Sequence, residues 1–348
     1  MAIEKADYGR LPDGAHIEEI TLRGPDGMVM NVINYGAIIS ELHVPDRHGE
    51  LADVVLGKDS LDGYLAGHPC FGTINGRVAG RITGGAFTLD GESFQLARNH
   101  GPNHLHGGLL GLDKRVWSAE ALETAAAEPS LRLGYFSPDG EEGYPGNVRI
   151  LVTYTLTAGN VLVIDYEATT DKPTPLNLTN HSYFNLAGHD SGRCDDQLVQ
   201  IHADSFVPSD ENLTLLGRVE PVDGMANDLR QPRRIGDVLP GLHLAHGDHY
   251  LLRDGGGGEL VAAAELADPA SSRVMRVATT EPCLQFYTAA MLEDGTSGKR
   301  GATYNRHQAL CFECSSYPDG VNSPQIADIV LRPGQTYSQR STYAFSTR

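Results

Sequence analysis

No stretch of this sequence approaches the roughly eighteen consecutive apolar residues that a bilayer-spanning helix requires, so no membrane span is expected. Basic residues are in short supply: 27 Lys and Arg stand against 45 Asp and Glu, a formal charge of -18. A field of that sign repels phosphate backbones and anionic lipid surfaces, which argues against nucleic-acid and membrane partners. Cysteine is sparse as well. Five cysteines, an odd number scattered over 348 residues, suggest reduced thiols and a cytoplasmic protein rather than a disulfide framework. The opening residues lack a positively charged apolar leader, so no signal peptide is expected. Helical periodicity is nearly missing; only residues 118–127 suggest a helix, of about three turns.

What is abundant is alternation. Residues 28–34, 38–44, 131–137, 148–156, 161–169, 198–206 and 336–345 run with period two and are rich in β-branched or aromatic side chains. Glycine, proline or Asx clusters bound most of them. Residues 86–96 read as a hairpin turning on Asp90-Gly91, a pair suited to a two-residue type I′ turn. The Gly255 to Gly258 run reads as a loop tip and not as a domain boundary. Strands spread from end to end without βαβ spacing predict an all-β fold, one large antiparallel β-sandwich spanning residues 1–348 as a single domain.

Several polar constellations sit on this frame. Residues 179–186 read Thr-Asn-His-Ser-Tyr-Phe-Asn-Leu, one imidazole, His181, among amides, hydroxyls and the Tyr183 ring. Rings cover the carbon face of a sugar and amides pair with its hydroxyls, although a structural histidine at a strand end would look the same. Arg77 and Arg81 lie four apart before the hairpin, and the Arg81 fork of donors suits hydroxyls or plain solvent. His104 and His106, at i and i+2, share one face if the segment is a strand, an arrangement that also suits a metal. No glutamate follows at the spacing a cupin-like site wants, and Gly107-Gly108 instead let backbone approach a ligand. His246-Gly247-Asp248-His249 brackets a carboxylate with imidazoles. Cys311 and Cys314 resemble half of a zinc site, but on a strand they face opposite ways and no second pair completes a tetrahedron. Alternation places Glu313 with Cys311 and Ser315, among small neighbours that favour a raised carboxyl pKa unless the strand is a solvated edge.

Taken in order, these segments resemble the aldose 1-epimerase (galactose mutarotase) family. The matching residues include Gly76, Arg77 and Arg81, Asn103 to Gly108, Gly143 to Gly146, Thr179 to Asn185, Asp248-His249, Glu281 with Gln285 and Tyr287, and Glu313 before Tyr317 to Asp319. The resemblance covers nearly the whole chain and implies a galactose mutarotase-like supersandwich with its site in a cleft on one sheet. It implies an isomerase that interconverts α and β anomers of a free aldose such as D-galactose or D-glucose by acid–base ring opening and reclosure. Glu313 would be the base at O1, His181 the acid at the ring oxygen, and His106 a donor to the same region. Arg81, Asp248 and Gln285 would hold hydroxyls, with Tyr183 also contacting substrate. No cofactor and no metal are implied, and the protein is expected to be a monomer or homodimer. Gly80 stands where the family often has Asn, and Ala289-Ala290 where it often has Gly-Asn; both departures bear on sugar preference. The rival readings are a hexose-6-phosphate 1-epimerase, for which Arg230, Arg233 and Arg234 would supply charge, a glycosidase using Glu313 and Asp248, and a non-catalytic carbohydrate-binding sandwich.

Overall fold

The structure, a computed structural model, describes residues 3–122 and 128–348. Its largest element is a nine-stranded antiparallel sheet. In spatial order it runs Ser118–Leu122, Ser130–Ser137, Val148–Thr157, Val161–Thr170, Tyr337–Thr347, Arg273–Thr279, Val261–Ala267, Leu198–Ile201 and Arg233–Arg234. The long central strands alternate as their sequences require: Val148, Ile150, Val152, Tyr154 and Leu156 are fully buried, while the residues between them lie nearer the surface. Burying each such side chain contributes about 1.5–3 kcal/mol.

Two five-stranded antiparallel sheets face this one. The first comprises Ile3–Arg10, His16–Arg23, Val29–Ile33, Ile38–Pro45 and Leu51–Asp53; the second runs Glu220–Pro221, Ala203–Val207, His249–Leu252, Cys283–Tyr287 and Cys311–Ser315. One apolar cluster, from Ile20 through Val152, Phe184 and Phe312 to Phe345, takes side chains from all three sheets. The all-β expectation holds, and the hairpin of Ala86–Leu89 and Glu92–Gln95 forms as predicted, with Asp90 and Gly91 both at positive φ (51° and 85°).

Two expectations need correction. The run 198–206 is not one strand: Leu198–Ile201 belongs to the nine-stranded sheet and Ala203–Val207 to the second five-stranded sheet. The break falls at His202, whose N–H donates to the Ala263 carbonyl, and period-two alternation continues through the switch because both halves bury one face. The helix expected at 118–127 is absent from its described part. Ser118–Leu122 is an edge strand paired with Ser130–Gly134, so sheet pairing overrides the alanine-rich helix propensity; residues 123–127 lie outside the described residues.

Candidate active site

Pairing in the second five-stranded sheet sets the floor of the site. Cys283–Tyr287 lies against Cys311–Ser315 so that Gln285 stands directly opposite Glu313, and His249–Leu252 puts His249 opposite Gln285. Leu284, Phe286, Phe312 and Cys314 point into the main core, while Tyr287 and Cys311 join a separate cluster on the other face. The two cysteines are thus divided between faces as the strand period requires. Residues 179–186 thread beside this floor with backbone bonds to neighbours: His181 N–H donates to the Thr73 carbonyl at 2.9 Å, and Phe184 and Leu310 exchange two bonds of 2.8 and 2.9 Å.

A cavity of about 210 Å³ opens above the floor, lined by Arg81, His106, His181, Tyr183, Gln285 and Glu313. Six of the seven residues singled out from the sequence therefore meet in one place. The seventh, Asp248, lines an adjoining hollow that shares Arg81, His246 and Gln285 with the cavity; its Oδ2 accepts from Asn227 Nδ2 at 3.1 Å.

Glu313 is 5 % exposed, and burial pushes its carboxyl up to about 8 against the opposing pull of the Arg81 guanidinium. His181 Nε2 stands 3.5 Å from Glu313 Oε1, and burial pushes its imidazole down to about 4. The two groups are one coupled unit: between those limits they hold a single shared proton, whichever of them carries it. The Arg81 backbone pairs with Leu105, but its side chain makes no hydrogen bond or ion pair with any described residue and its Nε is buried without a partner, which leaves the guanidinium donors for whatever fills the cavity. The Tyr183 hydroxyl donates to the Pro69 carbonyl at 2.7 Å, fixing the ring, which stacks on His181 with centroids 5.0 Å apart.

His106 departs from the strand geometry expected of it. The strand ends at Leu105, His106 takes a positive φ of 50°, and the following Gly107 passes so close to the Gly76 carbonyl that any Cβ there would collide with it. His104 and His106 consequently separate. His104 Nδ1 bonds to the Ala97 carbonyl and its ring packs edge-on against Tyr144, whereas His106 enters the cavity. Gly80 N–H donates to His106 Nδ1 at 3.1 Å, which keeps that nitrogen an acceptor and places the ring proton of neutral His106 on Nε2.

Ligand atoms of His106, His181 and Glu313 lie within 4.8 Å of one another, close enough to suggest a divalent cation. The hydrogen bonding fits a metal poorly. A metal-ligating histidine donates its second ring N–H to an acceptor, whereas here that second nitrogen receives a hydrogen bond. Glu41, His43 and Asp53 converge similarly, but the Lys299 ammonium already sits on Asp53 and the Arg300 guanidinium on Glu41.

Several other residues take roles that their sequence context did not reveal. Arg77 is a buried tie, donating to Ser137 Oγ and to the carbonyls of Ser137, Pro138 and Pro145, and does not line the cavity. Asn180 and Asn185, read as sugar-binding amides, bond instead to backbone at Gly72, Gly192 and Gln308. His100, His246, Tyr287, Cys70 and Pro318 line the cavity without having been chosen as site residues. His246 carried a usable signal, its place beside Asp248, and Tyr287 another, its place two residues after Gln285; the structure turns both to the cavity, while the buried His249 lines the adjoining hollow with Asp248.

The chain is similar throughout to known proteins. A family model described as aldose 1-epimerase matches residues 18–344. Galactose mutarotase from Homo sapiens is 42% identical over 346 residues, covering 99% of this chain and 99% of that protein. Aldose 1-epimerase from Escherichia coli K12 is 35% identical over 345 residues, with 96% of each covered. Among solved structures, galactose 1-epimerase from Lactobacillus acidophilus superposes with a TM-score of 0.85 at 28% identity, covering 99% of this chain and 98% of that one. An aldose epimerase homologue from C. elegans gives a TM-score of 0.86 at 29% identity, covering 94% and 98%.

Proposed function

This chain belongs to the aldose 1-epimerase family, and from that premise we propose that the Glu313–His181 pair carries its acid–base chemistry on a free aldose such as D-galactose or D-glucose. The protein is an isomerase interconverting aldose anomers. In ring opening, the Glu313 carboxylate takes the proton of the C1 hydroxyl while His181 delivers a proton to the ring oxygen. The C1–O bond to the ring oxygen breaks and C1 becomes an aldehyde. Rotation about C1–C2 and reversal of both proton transfers close the ring on its other face. The pair ends with the proton it began with, so nothing else is consumed.

The observation that carries this reading is the 3.5 Å approach of His181 Nε2 to Glu313 Oε1 at the cavity floor, with burial drawing their pKa values to either side of neutrality. Glu313, near 8, lies close to working pH, whereas His181, near 4, is uncharged at rest and must first take the shared proton from Glu313 before it can act as the acid. The neutral distribution, a protonated Glu313 beside an uncharged His181, matches the state left when the aldehyde has formed. Arg81 favours the carboxylate but opposes charge on the His181 imidazole, and one proton transfer within the pair separates the two distributions. His106 Nε2–H is a donor for the oxygen that gains charge. Arg81, Gln285 and Asp248 clamp the remaining hydroxyls, and the Tyr183 ring covers a carbon face.

A phosphorylated sugar is disfavoured by the positions of the basic groups. Arg230 is held by Asp228 and Asp223, Arg234 by Asp196 and Asp237, and Arg233 donates to the Ala226 carbonyl. None of the three lines the cavity. A single-domain reading is supported by a core cluster that extends from Ile20 to Phe345. No helix among the described residues is long and apolar enough to cross a membrane; a cytoplasmic monomer or homodimer without nucleic-acid or membrane partners remains part of the proposal. Polarimetry on fresh α-D-galactose, α-D-glucose and their 6-phosphates tests it. Faster decay of optical rotation with the free sugars supports the reading, and acceleration of the phosphates alone contradicts it.

A further inference from the structure

A second cavity, of about 780 Å³, is lined by Thr280, Glu281, Pro282, Ser316 and Arg340 among others and shares no residue with the sugar cavity. Its volume falls within the range of small-molecule pockets. Glu281 lines it. That side chain is only 7 % exposed, yet its carboxylate makes no hydrogen bond or ion pair with any described residue. A buried carboxylate without a partner is costly, and the fold supplies nothing here to offset that cost. The rest of the wall is acidic as well. Glu259 and Asp328 line it, and its one basic residue, Arg340, is already spent on Asp165 through two bonds of 2.6 and 3.0 Å. The wall thus presents four carboxylates, of which Asp165 is paired with Arg340, and no uncommitted cation.

We propose that this cavity binds a small organic ammonium ion, seated on the Glu281 carboxylate with Glu259 and Asp328 at its rim. A metal ion fits less well. Among the described residues, clusters of three possible ligands at metal spacing occur only at His106–His181–Glu313 and at Glu41–His43–Asp53, so the Glu281 carboxylate has no such set around it. An extended polyamine can reach separated carboxylates where a compact metal ion cannot. Burial alone holds the Glu281 carboxyl up near 7, and an ammonium bound beside it would restore the ionised form.

Titration calorimetry of the full chain with spermidine, putrescine and magnesium chloride at matched ionic strength tests the proposal. The expected result is one saturable site for an amine, weakened roughly tenfold or more in Glu281→Gln, the size of a lost charged hydrogen bond. Asp328→Asn, at an exposed position with little bearing on folding, should weaken it a few-fold. Polarimetric turnover of D-galactose by Glu281→Gln should stay within about twofold of the unaltered protein, since Glu281 lines a different cavity. No heat with either amine overturns the proposal, as does equal affinity in the unaltered protein and Glu281→Gln. Magnesium binding as tight as spermidine would also overturn it.

Discussion

Gly80 and His106 hold each other by two hydrogen bonds: Gly80 N–H donates to the His106 ring at Nδ1, 3.1 Å, and His106 N–H donates to the Gly80 carbonyl, 3.0 Å. The link is possible because Gly80 adopts a φ of 78° and carries no side chain toward Pro318. One backbone amide thereby sets which ring nitrogen of a cavity histidine bears the proton. Much of the site's electrostatics follows from that contact, and so does the first prediction.

Gly80→Asn, which installs the side chain the family often has there, should destabilise the protein. Asparagine tolerates the left-handed backbone, but a Cβ at position 80 would lie 2.4 Å from Pro318 Cγ. The expected loss is about 1–3 kcal/mol, with lower turnover as the Gly80–His106 link shifts. Adding Pro318→Gly, which removes both the Cγ and the Cβ, the latter 2.7 Å away, should recover part of the lost stability. Denaturant titration of the two variants reads the coupling; an unchanged midpoint for Gly80→Asn alone would mean that Pro318 yields freely.

Stability should climb as pH rises from about 3 to about 6.5. His68 and His246 are held down near 3, and His181 and His249 near 4, mainly by burial, against an ordinary value of 6.5. Each binds its proton more weakly folded than unfolded, so its contribution is full above 6.5 and lost as pH falls through the folded value. Glu313 acts in the opposite sense. Its folded value of about 8 lies above the ordinary 4.5, so it favours the fold below 4.5 and that benefit disappears as pH rises through 8. Glu313→Gln should therefore be more stable than the unaltered protein at pH 9, with little difference at pH 4. Thermal melts across that range would expose the reverse ordering if burial were not the cause.

Exhaustive chelation should leave anomerisation unchanged. The basis is the Gly80 hydrogen bond to His106 Nδ1, which leaves the cavity-facing nitrogen a donor instead of a ligand. Loss of activity on EDTA treatment, restored by zinc or another divalent ion, would show that His106, His181 and Glu313 do hold a metal.

Much of this architecture was legible in the sequence because its strands bury one face. Alternation located the long strands at Val148–Thr157 and Val161–Thr170 almost to the residue. The same period separated Cys311 from Cys314 and put Glu313 on the opposite face from Leu310 and Phe312. It fails where the chain leaves regular geometry without a change of polarity. Residues 198–206 change sheets at His202 while the pattern continues, and His106 leaves the His104 face because the strand stops one residue earlier. Asn180 and Asn185 misled for a further reason: an irregular buried segment must satisfy its backbone neighbours, and those amides do so. His100, Cys70 and Pro318 reach the cavity only through long-range folding, which no local spacing announces.

Glu313→Gln measured beside Asp248→Asn, by polarimetry with D-galactose at neutral pH, tests the central assignment most directly. Glutamine keeps the shape of the side chain but cannot take the C1 hydroxyl proton. Glu313→Gln should lower kcat by at least about 10²-fold with KM little changed. Asp248→Asn, in the adjoining hollow, should chiefly raise KM. Near-full kcat in Glu313→Gln together with abolished turnover in Asp248→Asn would contradict the account and move the base to Asp248.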